Sequence, residues 1–431
     1  MTSFGTRSSV HLLLALVASA GAGADWGEFR GPERNGIADG AQPPLEWSRE
    51  RNVRWRAELP APGNSSPVVV GQHVYLTCAT DEGRQRGLYC FDRRDGKLLW
   101  KREVEFTGDE PTHPTNPYCG SSPAADEQRV IVWHASAGVH CYDPQGTELW
   151  SRDLGAFRHI WGYGSSPVIL GDRVILNCGP GPRQFVIALD LATGKTLWQA
   201  DEPGGDSGEG PPKGEKTDKA ANDAKALWLG SWGTPMPVRV EGKAQVLVAL
   251  PYHVKAFDSA SGQVLWSCDG LGDLVYTDPL VSGDMGVAMG GYHGPAIGFR
   301  LGGSGDVTST NRLWHITSRN PQRIGSGVIV GPHVFMANEI GVVQCLELAT
   351  GREIWKERVT GTKIWGSIVA AGGRLYVTDQ AGTTHVMAPN PEKLEVLATN
   401  ELGEASNSTP AVCDRELFIR TFKALYCLGE H

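Results

Sequence analysis

The side chains best placed to do chemistry in this sequence are aromatic, charged and amide residues of its turns and connections. They are Trp161, Tyr163, Asp278, Tyr292, Arg323, Asn338, Lys363, Trp365, Asp379 and Asn407. Aromatic faces beside carboxylates, Arg and Lys suit the binding of a sugar, a planar ring or a peptide. None of the ten falls in a catalytic pattern: the chain has no G-x-S-x-G elbow, no GxxxxGK[ST] loop, no H-E-x-x-H and no G-x-G-x-x-G after a strand. The 12 His show no metal-ligand spacing, and the 9 Cys include no C-x-x-C and no adjacent pair. An odd Cys count leaves at least one thiol unpaired; a bridge such as Cys78 with Cys90 stays open in an oxidising compartment.

What positions these residues is a repeat. Its clearest copy runs from Ala188 to Trp198 as A-x-D-x-x-T-G-K-x-x-W, and others close at Trp55, Trp100, Trp150, Trp266, Trp314 and Trp355. Successive Trp spacings of 45, 50, 48, 68, 48 and 41 residues match a four-stranded propeller blade, with an insertion in the longest. Each copy opens on a short polar phrase: Ser65-Ser66-Pro67, Ser121-Ser122-Pro123, Ser165-Ser166-Pro167, Gly233-Thr234-Pro235, Thr277-Asp278-Pro279, Gly325-Ser326-Gly327, Gly366-Ser367-Ile368 and Ser408-Thr409-Pro410. Eight openings predict eight blades. The last copy lacks a Trp-bearing outer strand, whereas Trp55 stands on an outer strand with nothing before it. The fold expected is therefore all-β, an eight-bladed β-propeller of four antiparallel strands per blade, its last blade closed by the N-terminal strand.

In this register the Trp of each outer strand wedges between neighbouring blades. Cys90, Cys141, Cys345 and Cys427 occupy the repeat position that Ala188 and Ala256 hold, as small core residues. Short turns gather on one face of the ring, and the long irregular connections carrying the ten candidate residues gather on the other. Trp161 and Trp365, with Trp228 and Trp232, fall near the channel mouth, where they either line a cleft or plug the channel.

Composition and charge narrow the class. Gly 55 and Pro 27 favour many tight turns, and a net charge of −8 argues against a nucleic-acid partner. Residues 1–24 read as an export signal, with Arg7, an apolar run from Val10 to Ala18, and Ala22-Gly23-Ala24 before Asp25. The run is too short to span a bilayer, and no Cys near the cleavage point offers a lipid anchor. Residues 25–52 then form an N-terminal extension and 53–431 the propeller, with a solvated Gly/Pro/Lys/Asp-rich insertion at 199–227.

The A-x-D-x-x-T-G-K-x-x-W phrase resembles the tryptophan-docking repeat of quinoprotein alcohol dehydrogenases, over about residues 50–428. That resemblance implies an eight-bladed propeller holding pyrroloquinoline quinone, a vicinal Cys-Cys pair against it, and a calcium held by Glu and Asn beside a catalytic Asp. This sequence has no Cys-Cys pair and no position matching the calcium ligands, so neither quinone nor calcium is expected. The phrases Trp26-Gly27-Glu28-Phe29-Arg30-Gly31-Pro32 and Gly302-Gly303-Ser304-Gly305-Asp306-Val307-Thr308 are more similar to secreted PQQ-like repeat propellers of bacteria such as planctomycetes. A further likeness is to the propeller lipoprotein of outer-membrane β-barrel assembly, a scaffold. The resulting expectation is a monomeric periplasmic or extracellular propeller that binds or scaffolds a protein or polysaccharide on its loop face, without quinone catalysis. The alternative is an oxidoreductase or carbohydrate-active enzyme with a quinone-type or unidentified cofactor.

Overall fold

The structure, a computed structural model, describes residues 25–205 and 229–430. The export signal, Trp228 and most of the 199–227 insertion lie outside the described residues. Eight antiparallel four-stranded blades surround a central channel. The first consists of Val68–Val70, His73–Thr80, Gln85–Asp92 and Leu98–Glu105, running from the channel outward. The eighth takes Ala411–Cys413, Glu416–Arg420 and Ala424–Leu428 from the C-terminal end and Val53–Glu58 from the N-terminal end. Trp55 pairs with Cys427 and Arg56 with Tyr426, so the expected seam is present and its register defined.

Burial follows strand position. Second and third strands such as Val174 to Cys178 and Phe185 to Leu189 are buried on both faces, which their unbroken apolar runs require. Outer strands alternate, and their inward residue is the Trp. Its indole N–H donates to a carbonyl in the third-to-fourth turn of the next blade: Trp55 to Arg93 (2.7 Å), Trp100 to Pro144 (2.9 Å), Trp150 to Leu191 (3.0 Å), Trp198 to Ser259 (3.0 Å), Trp314 to Leu348 (2.8 Å) and Trp355 to Asn390 (3.1 Å). The glycine of that turn has two reasons to be glycine. At Gly351 φ is +69°, and a Cβ there would lie 2.5 Å from the Trp314 ring. Trp266 departs from the pattern: blade 5 replaces the usual turn with Gly305–Asp306 and a short helix, Thr308–Asn311, and the indole donates to Gln245 Oε1 within its own blade.

Two expectations are corrected here. Residues 199–202 belong to the outer strand Thr196–Glu202, where Glu202 pairs with Lys255, so the insertion begins after them. All nine cysteines are buried, and burial pushes the Cys78 and Cys90 thiols up to about 12. Cys78 pairs in register with Gly87, and Cys90 with Tyr75. The two are offset by three residues on adjacent strands, so they stand about 10 Å apart on opposite faces, beyond disulfide reach.

Trp198→Ala is expected to cost about 3–5 kcal/mol as a core truncation. Gly351→Ala should cost about 1–3 kcal/mol, from left-handed backbone and the indole clash. Both are read as a lower urea midpoint at unchanged m-value; an unmoved midpoint would show that the docked indole contributes nothing to blade cohesion.

Candidate functional site

The second residue of each blade opening forms a closed ring around the channel. The backbone N–H of Ser66 donates to Ser122 Oγ (2.8 Å), Ser122 to Ser166 (3.0 Å), Ser166 to Thr234 (3.2 Å) and Thr234 to Asp278 Oδ1 (2.7 Å). Asp278 continues to Ser326 (3.0 Å), Ser326 to Ser367 (2.9 Å), Ser367 to Thr409 (2.9 Å), and Thr409 returns to Ser66 (2.9 Å) across the seam. Seven of the eight acceptors are hydroxyls. Each uses its oxygen for the neighbour's N–H; the side chains of Thr234 and Ser326 also hydrogen-bond the Asp278 carboxylate, and among the described residues the hydroxyls of Ser66, Ser122, Ser166, Ser367 and Thr409 have no protein acceptor.

The lower end of the channel is filled by the N-terminal extension. Val69 N–H donates to Trp26 O (2.9 Å), Ala125 N–H to Gly27 O (2.7 Å), and Ile169 N–H to Glu28 Oε1 (2.8 Å). Arg30 then donates to Gly327 O (2.5 Å), Ala370 N–H to Gly36 O (2.8 Å), and Ile37–Ala38 pairs in parallel with Ala370 and Ala371. The Trp26-to-Pro32 phrase thus satisfies inward edges of innermost strands that would otherwise stand open. Gly27 fits because a Cβ there would lie 2.6 Å from Ala125 O. Arg30 is wholly buried with Nη1 3.8 Å from Asp278 Oδ2. Burial draws the guanidinium down to about 10, opposed by the Asp278 charge; burial likewise raises Asp278, opposed by Arg30.

Above this floor lies a cavity of about 470 Å³. All eight ring residues line it, and Phe29 reaches it from the N-terminal segment. One arc of its wall is built of amides. Gln380 Nε2 donates to Asn407 Oδ1 (2.8 Å), Asn407 to Asn64 (3.1 Å), Asn64 to Asn116 (3.2 Å), and Asn116 to the carbonyls of Trp161 and Tyr163. The other arc is aromatic. Trp232 meets Tyr276 edge to face at 5.0 Å, Trp161 packs on His113 at 4.5 Å, and Trp365 and the exposed Tyr292 complete the mouth. Lys363 donates to Glu339 Oε1 at 2.8 Å, so the charges at the rim neutralise each other.

Six of the ten candidate residues, Trp161, Asp278, Tyr292, Lys363, Trp365 and Asn407, come together on this cavity. The other four sit behind its wall. Tyr163 donates to Tyr118 O, Arg323 is buried against Asn320, and Asn338 Oδ1 accepts the Val342 N–H of its own turn. Asp379 accepts from Ala381, Thr383, Thr360 and His385. Trp161 and Trp365 line the cavity, and the plug is supplied instead by the N-terminal segment. Sequence reasoning missed Phe29, Asn64, His113, Asn116 and Gln322. The available signals were the phrase around Phe29 and, for Asn64, its place just before Ser65-Ser66-Pro67, as Asn407 stands before Ser408-Thr409-Pro410.

The quinone suggested by the repeat is a planar tricarboxylate used with calcium. Here the rim cation Lys363 is committed to Glu339, and Arg30 to Asp278 and Gly327. No cysteine lines the cavity, and among the described residues no three His, Cys, Asp or Glu side chains converge to hold a metal. The donor set does not fit the quinone with calcium.

The family model described as outer membrane protein assembly factor BamB matches residues 49–105, 84–357, 253–397 and 339–427, and the chain belongs to that family of PQQ-like repeat propellers. It is similar to the quinohemoprotein alcohol dehydrogenase ADH-IIG of Pseudomonas putida, 29% identical over 199 residues, 43% of this chain and 24% of that protein. The matched stretch thus spans about a quarter of the dehydrogenase. It is also similar to outer membrane protein assembly factor BamB of Burkholderia pseudomallei (strain K96243), 24% identical over 336 residues, 78% of this chain and 76% of that one. The crystal structure of BamB from Moraxella catarrhalis shares the fold, with a TM-score of 0.57 at 15% identity, covering 86% of this chain and 98% of that one.

Arg30→Met leaves Asp278 buried without a cation and should cost about 3–5 kcal/mol near neutral pH. Adding Asp278→Ser, which makes all eight ring acceptors hydroxyls, should restore most of that. Because the folded state holds the Asp278 pKa above its unfolded value, the stability associated with its proton is lost as pH rises through the folded pKa. The deficit of the single variant should therefore shrink as pH falls toward ~4, the unfolded carboxylate range. A deficit independent of pH, or a double variant no more stable than the single one, would contradict this.

Proposed function

From that family membership and the cavity geometry, we propose that the protein is an exported binding propeller, acting as a monomer. It holds a polysaccharide or a protein segment by a group inserted into the loop-face cavity, without quinone chemistry. The observation that carries this reading is the cavity itself. Its volume of about 470 Å³ falls within the ~300–1,000 Å³ of small-molecule sites. Its lower end is filled by the protein's own N-terminal segment, and its Lys and carboxylates are paired with one another. A site whose Lys and carboxylates are already committed offers shape, aromatic faces and hydrogen bonds to a ligand. Relatives named as outer membrane assembly factors favour a scaffold use of the loop face. The export-type segment at 1–24 supports a periplasmic or extracellular setting. Among the described residues no helix is long and apolar enough to cross a membrane.

The test is retention of purified bacterial envelope polysaccharide and envelope protein on immobilised wild type and on a Trp161→Ala, Trp365→Ala double variant. Wild type should retain one of them, identified by sugar analysis or mass spectrometry, and the double variant should lose at least about ten-fold in affinity, as truncated aromatic anchors do. Equal retention by both proteins would sink the reading. So would dye-linked alcohol oxidation after mixing with pyrroloquinoline quinone and Ca²⁺.

A further inference from the structure

We infer that the ligand group entering the cavity is a neutral sugar residue at the end of a glycan, an assignment that rests on the binding reading above. Three features of the wall select it. The first is hydrogen-bonding capacity. The ring presents five hydroxyl donors with no protein acceptor among the described residues, those of Ser66, Ser122, Ser166, Ser367 and Thr409, and Asn407 spends one of its two side-chain N–H groups on Asn64. Such a lining calls for a ligand rich in oxygen acceptors set around one circle. A sugar ring meets it with hydroxyls that each accept and donate.

The second is the opposite arc. Trp365, Trp161 and Tyr292 give the cavity broad apolar faces beside those donors. A pyranose has this same division: an apolar C–H face and an equatorial fringe of hydroxyls. A wholly apolar group would leave the ring hydroxyls unsatisfied, which is costly in a closed site.

The third is charge. The Lys and carboxylate side chains that line the cavity are paired, Lys363 with Glu339 and Asp278 with Arg30, and so offer no free charge to a uronate, sulfate or ammonium. An ionised ligand would lose its hydration without a partner. A peptide adding as a strand is disfavoured separately, because the N-terminal segment already occupies the backbone groups of Val69, Ala125 and Ala370 on the inner strands.

The experiment uses the whole mature protein and two pools of oligosaccharides. These are a neutral pool (cello-, malto-, manno- and xylo-oligosaccharides with the neutral fraction of hydrolysed envelope polysaccharide) and an acidic pool (oligogalacturonate and the anion-exchange-retained fraction of the same hydrolysate). Binding is followed by intrinsic tryptophan fluorescence and calorimetry. The neutral pool should contain a binder at least about ten-fold tighter than any acidic counterpart. Trp365→Ala and Asn407→Ala should each weaken it about ten-fold or more, and Trp365→Phe should keep most of the affinity. Unchanged thermal midpoints separate these losses from misfolding. Preference for the acidic pool, no binder in the neutral pool, or neutral binding untouched by both alanine variants would overturn the assignment. If the wild type still retains an envelope protein or acidic glycan through Trp161 and Trp365, the binding reading survives and the sugar assignment alone is lost. Failure to retain any envelope component removes both.

Discussion

Eight backbone N–H groups, each donated to the side-chain oxygen of the next blade's opening residue, tie the propeller at its narrowest circumference. Each such bond contributes only ~0.5–1.5 kcal/mol net, but leaving a buried N–H unpaired costs more than the bond itself gains. The ring therefore acts as a constraint on geometry. Every blade must enter the channel at the same height and with the same tilt, or its own N–H and its neighbour's hydroxyl both go unsatisfied. The same atoms form the waist of the cavity, so the site and the closure of the fold cannot be altered independently. This explains why the opening phrase tolerates Gly, Ser or Thr at its first position, whereas its second is always Ser, Thr or Asp.

The ring is uniform except at Asp278, and that exception joins it to the N-terminal extension. A carboxylate brings one oxygen more than the N–H ring requires, and the spare oxygen faces Arg30. Arg30 also donates to the backbone at Gly327. One segment thus fills the channel, pairs with inner strands of several blades, wraps beneath Tyr376 and supplies the last outer strand. The N-terminal stretch is consequently fixed twice, at the rim against the C-terminal strand and at the centre against Asp278 and Gly327.

Legibility in the sequence followed the range of the interactions involved. The Trp, Gly and Asp of each repeat act on an adjacent blade, and their spacing is periodic, so blade count and seam could be read directly. The opening phrases marked blade starts, but nothing in one copy reveals that its hydroxyl serves the preceding blade. Phe29 and Arg30 contact partners spread around the ring, a pattern without period, and their phrase stood out only as a likeness. Register placed Trp161, Trp365 and Asn407 in connections whose side chains line the cavity. It could not decide side-chain direction: Asn338 and Asp379 lie in equivalent loops but turn back to hold their own backbone. Asn64 precedes its opening phrase just as Asn407 does, so register marks it too, whereas Asn116 was illegible because its connection follows no repeat.

Amide hydrogen exchange at the ring positions tests this picture most directly. If the circle is closed through the seam, the N–H groups of Ser66 and Thr409 should exchange as slowly as those of Ser122, Ser166 and Ser367, and only through global unfolding. Early exchange at Ser66 and Thr409, with the remaining positions still protected, would mean that the eight blades are not held as one ring.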